Sequence, residues 1–446
     1  MKKHIFLLKP AIFFISILIG AYTVLWIEKV RPSDFGFYKD IFKKEVVIKK
    51  SDSYPLNTYG DTLTNQDMEI GKIAWRYFEN NYIPETGFVN SVDKYPGTTL
   101  WDVTSYLHAL TSAYEIGIID TTEFDKKLTK ILSSMSTLQL FNNKLPNKSY
   151  NTYNLAMIDY ENHPTQEGIG WSAMDIGRFF SFSYRLMKDY PEYFPLMKKI
   201  ISRWHIEEII EDATLHGIGF NFKDKRMMKV QEGKLGYEEY VAKGYDLMGF
   251  DVSEALKYTD FIKFVKILGI EIATDTREVK YFPAYNYILS EPYILDGLEY
   301  GWDINSKELA YRIYKVQKRR SEKTNKLIAV SEGHLDTFPY FVYNTIYTNK
   351  EKWVCLSSDG EKTDEMKTFS TKAAFAWHTL FDDDYSKKIY EKAITLNDKN
   401  KGFYSGYYQN TGKINYALTA NTNGIILESL RYKLMGPINR LWQTEK

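Results

Sequence analysis

Residues 99–116 read TLWDVTSYLHALTSAYEI, and residues 123–138 read EFDKKLTKILSSMSTL. The first stretch is apolar around most of a helical circumference, as a helix buried on all sides must be. The second gathers Phe124, Leu128, Ile131, Leu132 and Met135 on one face and turns its charges outward. The same alternation recurs along the chain. Stretches of the first kind are 170–187 (GWSAMDIGRFFSFSYRLM), 237–248, 296–314, 371–381 and 421–434; those of the second are 68–80, 192–210, 253–269 and 385–395. Inner helices alternating with amphipathic outer ones predict an all-α fold, an (α/α)6 toroid or barrel. No long Pro/Gly/Ser linker interrupts the chain after residue 66, so 67–446 is read as one toroid domain, at roughly 63 residues per helical hairpin.

Ahead of that domain, residues 11–27 carry no charge, and Lys2, Lys3 and Lys9 precede them. The run is at the short end of what spans a bilayer, and no small-x-small cleavage site follows it cleanly. Residues 1–31 are therefore read as an uncleaved signal anchor, an N-terminal transmembrane helix, and the polar residues 32–66 as a tether. Lysines follow the segment as well as precede it, so charge bias alone does not orient it. An extracytoplasmic toroid domain, periplasmic or at the cell surface, is expected on functional grounds.

Composition narrows the function. The 446 residues hold 58 Lys+Arg against 57 Asp+Glu, a balance that disfavours a general nucleic-acid binder. The single cysteine, Cys355, rules out an internal disulfide and a multi-thiolate zinc site. Aromatic residues, with 36 Tyr, reach 16%, which suggests surface that binds something flat and polar.

The stretches preceding the inner helices concentrate that chemistry: PETGFVNSVDKYPGTTLWD, HPTQEGIGWSAMD, QEGKLGYEEY, ILSEPYILDGLEYGWD, AVSEGHLDTFPYFVYN and KGFYSGYYQNTGKINYALTANTN. The first five combine carboxylates with Trp or Tyr, the sixth is rich in Tyr and Asn, and in a closed toroid they converge on one cavity. Rings stack on pyranose faces while two carboxyl groups divide acid and base roles, the ingredients of glycosidic cleavage. For a single carboxylate before a helix, N-capping is the commoner role.

Several of these runs, with IGWSAMDIGR, PYFVYNTIY and TANTNGIILESL, resemble a bacterial family, domain of unknown function 3131, over roughly residues 70–430. That resemblance implies an extracytoplasmic, polysaccharide-associated toroid. A fainter one is to glucoamylase-like toroids that cleave β-1,2-glucans. It implies a catalytic carboxylate in Ser290-Glu291-Pro292-Tyr293-Ile294 and a subsite segment in Asp175-Ile176-Gly177. On this reading Glu291, surrounded by Tyr285, Tyr287 and Tyr293, is the expected general acid, and Asp175 or Asp102 its partner. Inversion is expected by family analogy. Glu232 and Glu332 complete the catalytic candidates. Trp101, Trp171, Tyr237, Glu239, Tyr293, Trp302, Asp336 and Tyr404 are the expected substrate-binding residues, and Arg178 could instead be an ion-pair partner of Asp175.

Other signals fail on context. Gly168–Ala173 imitates a dinucleotide fingerprint without a preceding strand, and Gly406–Ile414 misses the spacing of a phosphate loop. Asp382–Asp384 reads as an exposed turn. The seven histidines are scattered without a zinc pattern, so no metal or cofactor is expected. The expected function is a membrane-anchored glycoside hydrolase acting on a bacterial polysaccharide or oligosaccharide, beside exopolysaccharide synthesis machinery. The alternative is a non-catalytic polysaccharide-binding or assembly subunit. A polysaccharide lyase would share the toroid but would call for a basic cleft.

Overall fold

The computed structural model describes residues 15–20, 22–23, 46–221, 226–277 and 285–439, with the side chains of 220 and 221 excepted. The chain divides into Met1–Val47 and Ile48–Lys446. In the first unit residues 15–20 and 22–23 are helical and exposed. The rest of the expected anchor, and the tether up to residue 45, lie outside the described residues. No described helix is long and apolar enough to cross a membrane.

In the second unit, residues 48–60 do not hang as a tether. They lie along the domain as an extended strap, with Ser51 and Tyr54 donating to Glu308, Leu56 bridged to Phe381 and the Gly60 N–H donating to Lys433 O.

Among the described residues eleven α-helices follow: α1 (Asn65–Asn81), α2 (Leu100–Glu115), α3 (Thr121–Met135), α4 (Ala173–Asp189), α5 (Phe194–Ile201), α6 (Tyr237–Leu247), α7 (Glu291–Tyr300), α8 (Ile304–Thr324), α9 (Thr371–Leu380), α10 (Asp384–Ala393) and α11 (Ala420–Met435). Six of them close a ring in the order α2–α4–α6–α7–α9–α11 and back to α2. Five of these are the expected inner helices, and the sixth, α7, overlaps only the start of the expected stretch 296–314, most of which forms the outer helix α8; every residue of α7 and the first thirteen of α11 are buried. Outside the ring, α1 packs on α11 and α2, α3 on α2, α5 on α4, α8 on α7 and α10 on α9.

The ring tolerates its tightness through glycine. A Cβ on Gly244 of α6 would sit 2.0 Å from the Gly177 carbonyl oxygen of α4, so these two helices meet backbone to backbone.

Two expectations are corrected here. The stretch 253–269 is not an outer helix: Ile262–Ile267 and Ile270–Asp275 form an antiparallel hairpin that packs on α8. Its Ile- and Val-rich sequence FIKFVKILGIEIATD suits a strand. Its turn, Leu268-Gly269, has positive φ at both residues (48° and 78°), as two-residue hairpin turns require. The stretch 296–314 is likewise not one helix, because Gly301 turns left-handed (φ 76°) and Asp303 caps a new helix, α8.

Nor is the fold all-α. The described residues hold eighteen short strands, among them Gly97–Thr99, Glu332–His334, Phe341–Asn344, Thr368–Ser370, Gly402–Tyr408 and Ile414–Leu418. Several of them, at 97–99, 332–334, 341–344, 402–408 and 414–418, come from the aromatic stretches preceding the inner helices. There Tyr, Phe and Ile occupy pleated, half-buried positions, and glycines and asparagines make the turns. Three of these strands run straight into α2, α9 and α11 and so fix where those helices begin.

Candidate active site at the ring mouth

The first turns of all six inner helices gather at one end of the ring. The Trp101 N–H of α2 donates to Asp175 of α4 at 3.2 Å, and the Trp101 ring meets Tyr237 of α6 edge-on at 6.0 Å. Tyr293 of α7 packs under Gly236, the N-cap of α6. Lys372 of α9 ion-pairs with Glu291 of α7, and Asn421 of α11 donates to Glu291 Oε1 at 2.6 Å. Each side chain belongs to the opening turn of its helix because a Ser, Thr or Gly N-cap starts the helix there.

The five carboxylates expected to be catalytic separate into two groups by what their oxygens do. Three of them serve the helices. Asp102 exchanges hydrogen bonds with Thr99, its own N-cap, at 3.0 and 3.2 Å. Asp175 does the same with Ser172 at 2.8 and 3.2 Å, and Glu232 accepts the Ala173 N–H at 2.6 Å. Burial raises the pKa of both aspartates. Asp175 is pushed up to about 7, with the charge of Glu232 adding to burial and the Ser172 hydroxyl opposing it.

Glu291 and Glu332 cap nothing. Glu291, fully buried at the first position of α7, has the Lys372 ammonium on Oε2, the Asn421 amide on Oε1 and the Ser331 hydroxyl at 3.5 Å. Those contacts suit an anion. Glu332 is half-buried on the strand that follows Ser331. Burial, and then the Glu291 charge, push its pKa up to about 8 against the pull of Lys372. The Tyr237 hydroxyl closes no hydrogen bond of ordinary geometry, yet it lies close enough to Glu332 for each to shift the other. His334 is held down to about 4 by burial and by Lys372, so its imidazole is neutral at pH 7. Across the strand pair Tyr343 faces Glu332 and lies flat on Tyr287 at 3.9 Å. The mouth therefore holds one carboxylate arranged as an anion and one arranged to keep its proton.

The other expected residues are scattered more widely. Tyr237 and Trp101 lie inside the cluster. Glu239 closes a capping box on Gly236 (2.6 Å), and Tyr293 is buried beside it. Trp171 is buried, donates to His216 O at 3.2 Å and floors an open cavity of about 660 Å³ beside Phe141 and Gln166. Asp336 and Tyr404 belong to the strand loops that rim the mouth. Trp302 is elsewhere: it follows the last turn of α7, at the opposite end of the ring, donates to Tyr293 O and packs on Gly297 and Phe381. Tyr287 lies beside Glu332 rather than Glu291, and Tyr285 packs on Tyr287 with its hydroxyl toward Gly360.

Arg178 does not pair with Asp175. It points down the ring axis, fully buried, to Glu299 (3.3 Å) and Glu428 (3.4 Å), and donates to Ser105 Oγ at 2.6 Å. Lys372, Asn421 and His334 were not foreseen. Lys372 left a signal: a cation in the first turn of an otherwise apolar helix opposes the helix dipole, and a buried anion must compensate it. Among the described residues no group of His, Cys, Asp and Glu could hold a metal ion.

Residues 69–436 match the profile of the family described as protein of unknown function, DUF3131. The chain belongs to that family. No curated protein sequence matches it. Solved structures share its fold at low identity. A candidate glucoamylase from Bacteroides caccae superposes with a TM-score of 0.59 at 9% identity, covering 84% of this chain and 94% of that one. An endo-β-1,2-glucanase from Chitinophaga pinensis, solved with sophorotriose and glucose, gives 0.58 at 11%, covering 84% and 94%. One from Talaromyces funiculosus, solved with sophorose, gives 0.56 at 10%, covering 84% of both chains. This DUF3131 chain thus has the glucoamylase-like toroid fold.

Proposed function

We propose that this DUF3131 protein is a glycoside hydrolase, with Glu332 as general acid and Glu291 as general base. The observation that carries the reading is the asymmetry of the pair: Glu332 is pushed up to about 8, and Glu291 is clasped by Lys372 and Asn421. This reverses the expectation that Glu291 is the acid. With inversion, Glu291 takes a proton from water as the water oxygen bonds to the anomeric carbon. The glycosidic C–O bond breaks, and the Glu332 proton passes to the leaving oxygen. Tyr237 and Tyr343 beside Glu332 supply ring surface for the sugar, and Lys372 holds the base in place. The fold shared with endo-β-1,2-glucanases supports a glucan or related bacterial polysaccharide as substrate.

The uncharged run 11–27 supports a membrane-anchored protein, and the saccharide reading of the mouth supports a toroid that works outside the cytoplasm, beside exopolysaccharide machinery. The test is release of reducing ends from a panel of glucans and exopolysaccharides, with the product anomer followed by NMR. Release that disappears in Glu332→Gln, with an unchanged melting temperature, is expected. Binding without release would favour a non-catalytic polysaccharide-binding subunit.

A further inference from the structure

Glu332 and His334 pair across the strand with Tyr343 and Phe341, so all four side chains share one face of this hairpin. Rings follow one another along it: His334 to Phe341 at 4.9 Å, Phe341 to Tyr343 at 5.2 Å, Tyr343 to Tyr287 at 3.9 Å. At the hairpin's turn, Phe338 and Tyr340 stand 6.2 Å apart and are 74% and 62% exposed. The turn is nevertheless fixed. Asp336 accepts from the Tyr408 hydroxyl at 2.5 Å and the Tyr416 N–H at 2.8 Å, and its own N–H donates to Asn415 at 3.0 Å. This ties the turn to the 402–418 hairpin, where Tyr416 is 58% exposed and meets Tyr404 edge-on.

We propose that the Phe338–Tyr340 turn, with Tyr416 beside it, binds a neutral polysaccharide chain several sugar units away from the bond placed between Glu291 and Glu332. The proposal rests on the saccharide reading of the mouth and adds a surface outside it. Large rings held open to water by a hydrogen-bonded scaffold lose little freedom on binding, and they offer the apolar faces on which pyranoses stack. The strip runs from Glu332 along one face of the hairpin toward the turn that carries them, so a chain leaving the mouth along it reaches that turn next. The charge anchoring the turn is the Asp336 carboxylate, which repels a polyanion and leaves a neutral glycan favoured.

The experiment is affinity electrophoresis of the full chain carrying Glu332→Gln, in gels cast with β-1,2-glucan, laminarin, dextran or alginate, with sophorose binding measured alongside. At least one neutral glucan should retard the protein. Adding Phe338→Ala and Tyr340→Ala should weaken that retardation about tenfold, with an unchanged melting temperature and less than about twofold change for sophorose. Tyr416→Ala should have a smaller effect in the same direction. Undiminished affinity in the double variant, retardation by alginate alone, or no retardation by any neutral glucan would each overturn the surface. Retardation by a neutral glucan with no reducing ends released by the unmutated protein from any glycan of the panel would overturn hydrolysis and leave the surface standing. Cleavage of a glucan that the double variant binds unimpaired would do the reverse.

Discussion

Two pairs of acids occupy the same mouth, and they differ in where their oxygens point. Asp175 and Glu232 spend theirs on the Ser172 hydroxyl and on the amides of Trp101 and Ala173. Glu291 and Glu332 leave the backbone alone and face Lys372, Asn421 and Tyr237. A carboxylate in the first turn of a helix is by default satisfied by that helix. The acids free for chemistry are those whose partners are other side chains.

Substitutions can break that contrast. The largest effect is expected for Glu332→Gln and Glu291→Gln, each lowering kcat by about 10²–10⁴-fold while the melting temperature stays near that of the parent. The largest loss of stability should come from neither pair. Arg178→Met strands Glu299 and Glu428 in the ring interior and should cost about 3–5 kcal/mol in denaturant unfolding. Asp175→Ala should cost about 0.5–2 kcal/mol of stability through the hydrogen bonds it loses with Ser172 and Trp101, with a far smaller effect on kcat than Glu332→Gln. A loss of activity at Asp175 equal to that at Glu332 would erase the distinction.

Acidity sharpens the contrast further. Glu332 must carry its proton to act, so kcat/KM should fall as pH rises through about 8. Asp175 is raised in the fold from 3.8 to about 7, so the folded state holds its proton more tightly than the unfolded chain does. Its contribution to stability is complete below about 4 and is lost as pH rises toward 7. Asp175→Asn should flatten that part of the stability–pH curve.

The inner ring was legible because helices buried on all sides, such as α2 and α4, cannot be mistaken for amphipathic ones, and because Ser and Thr mark their starts. The hairpin at 262–275 was not, since its apolar residues also fit a helical period and only the Leu268-Gly269 turn separates the two readings. The strands at the rim were hidden because aromatic residues between glycines read as loop until their pairing partner, forty residues away for Thr368 and Tyr408, is known. The acids at the mouth were visible as residue types, but their roles were not. Whether a carboxylate caps a helix or meets Lys372 depends on which neighbouring helix the ring places beside it.

The division of labour between Glu291 and Glu332 is tested most directly with a leaving group that needs no proton. On a dinitrophenyl glycoside of the sugar that the unmutated protein releases, Glu332→Gln should recover most of its lost rate and Glu291→Gln none. Equal impairment of both variants on that substrate, or recovery by Glu291→Gln alone, would contradict the assignment.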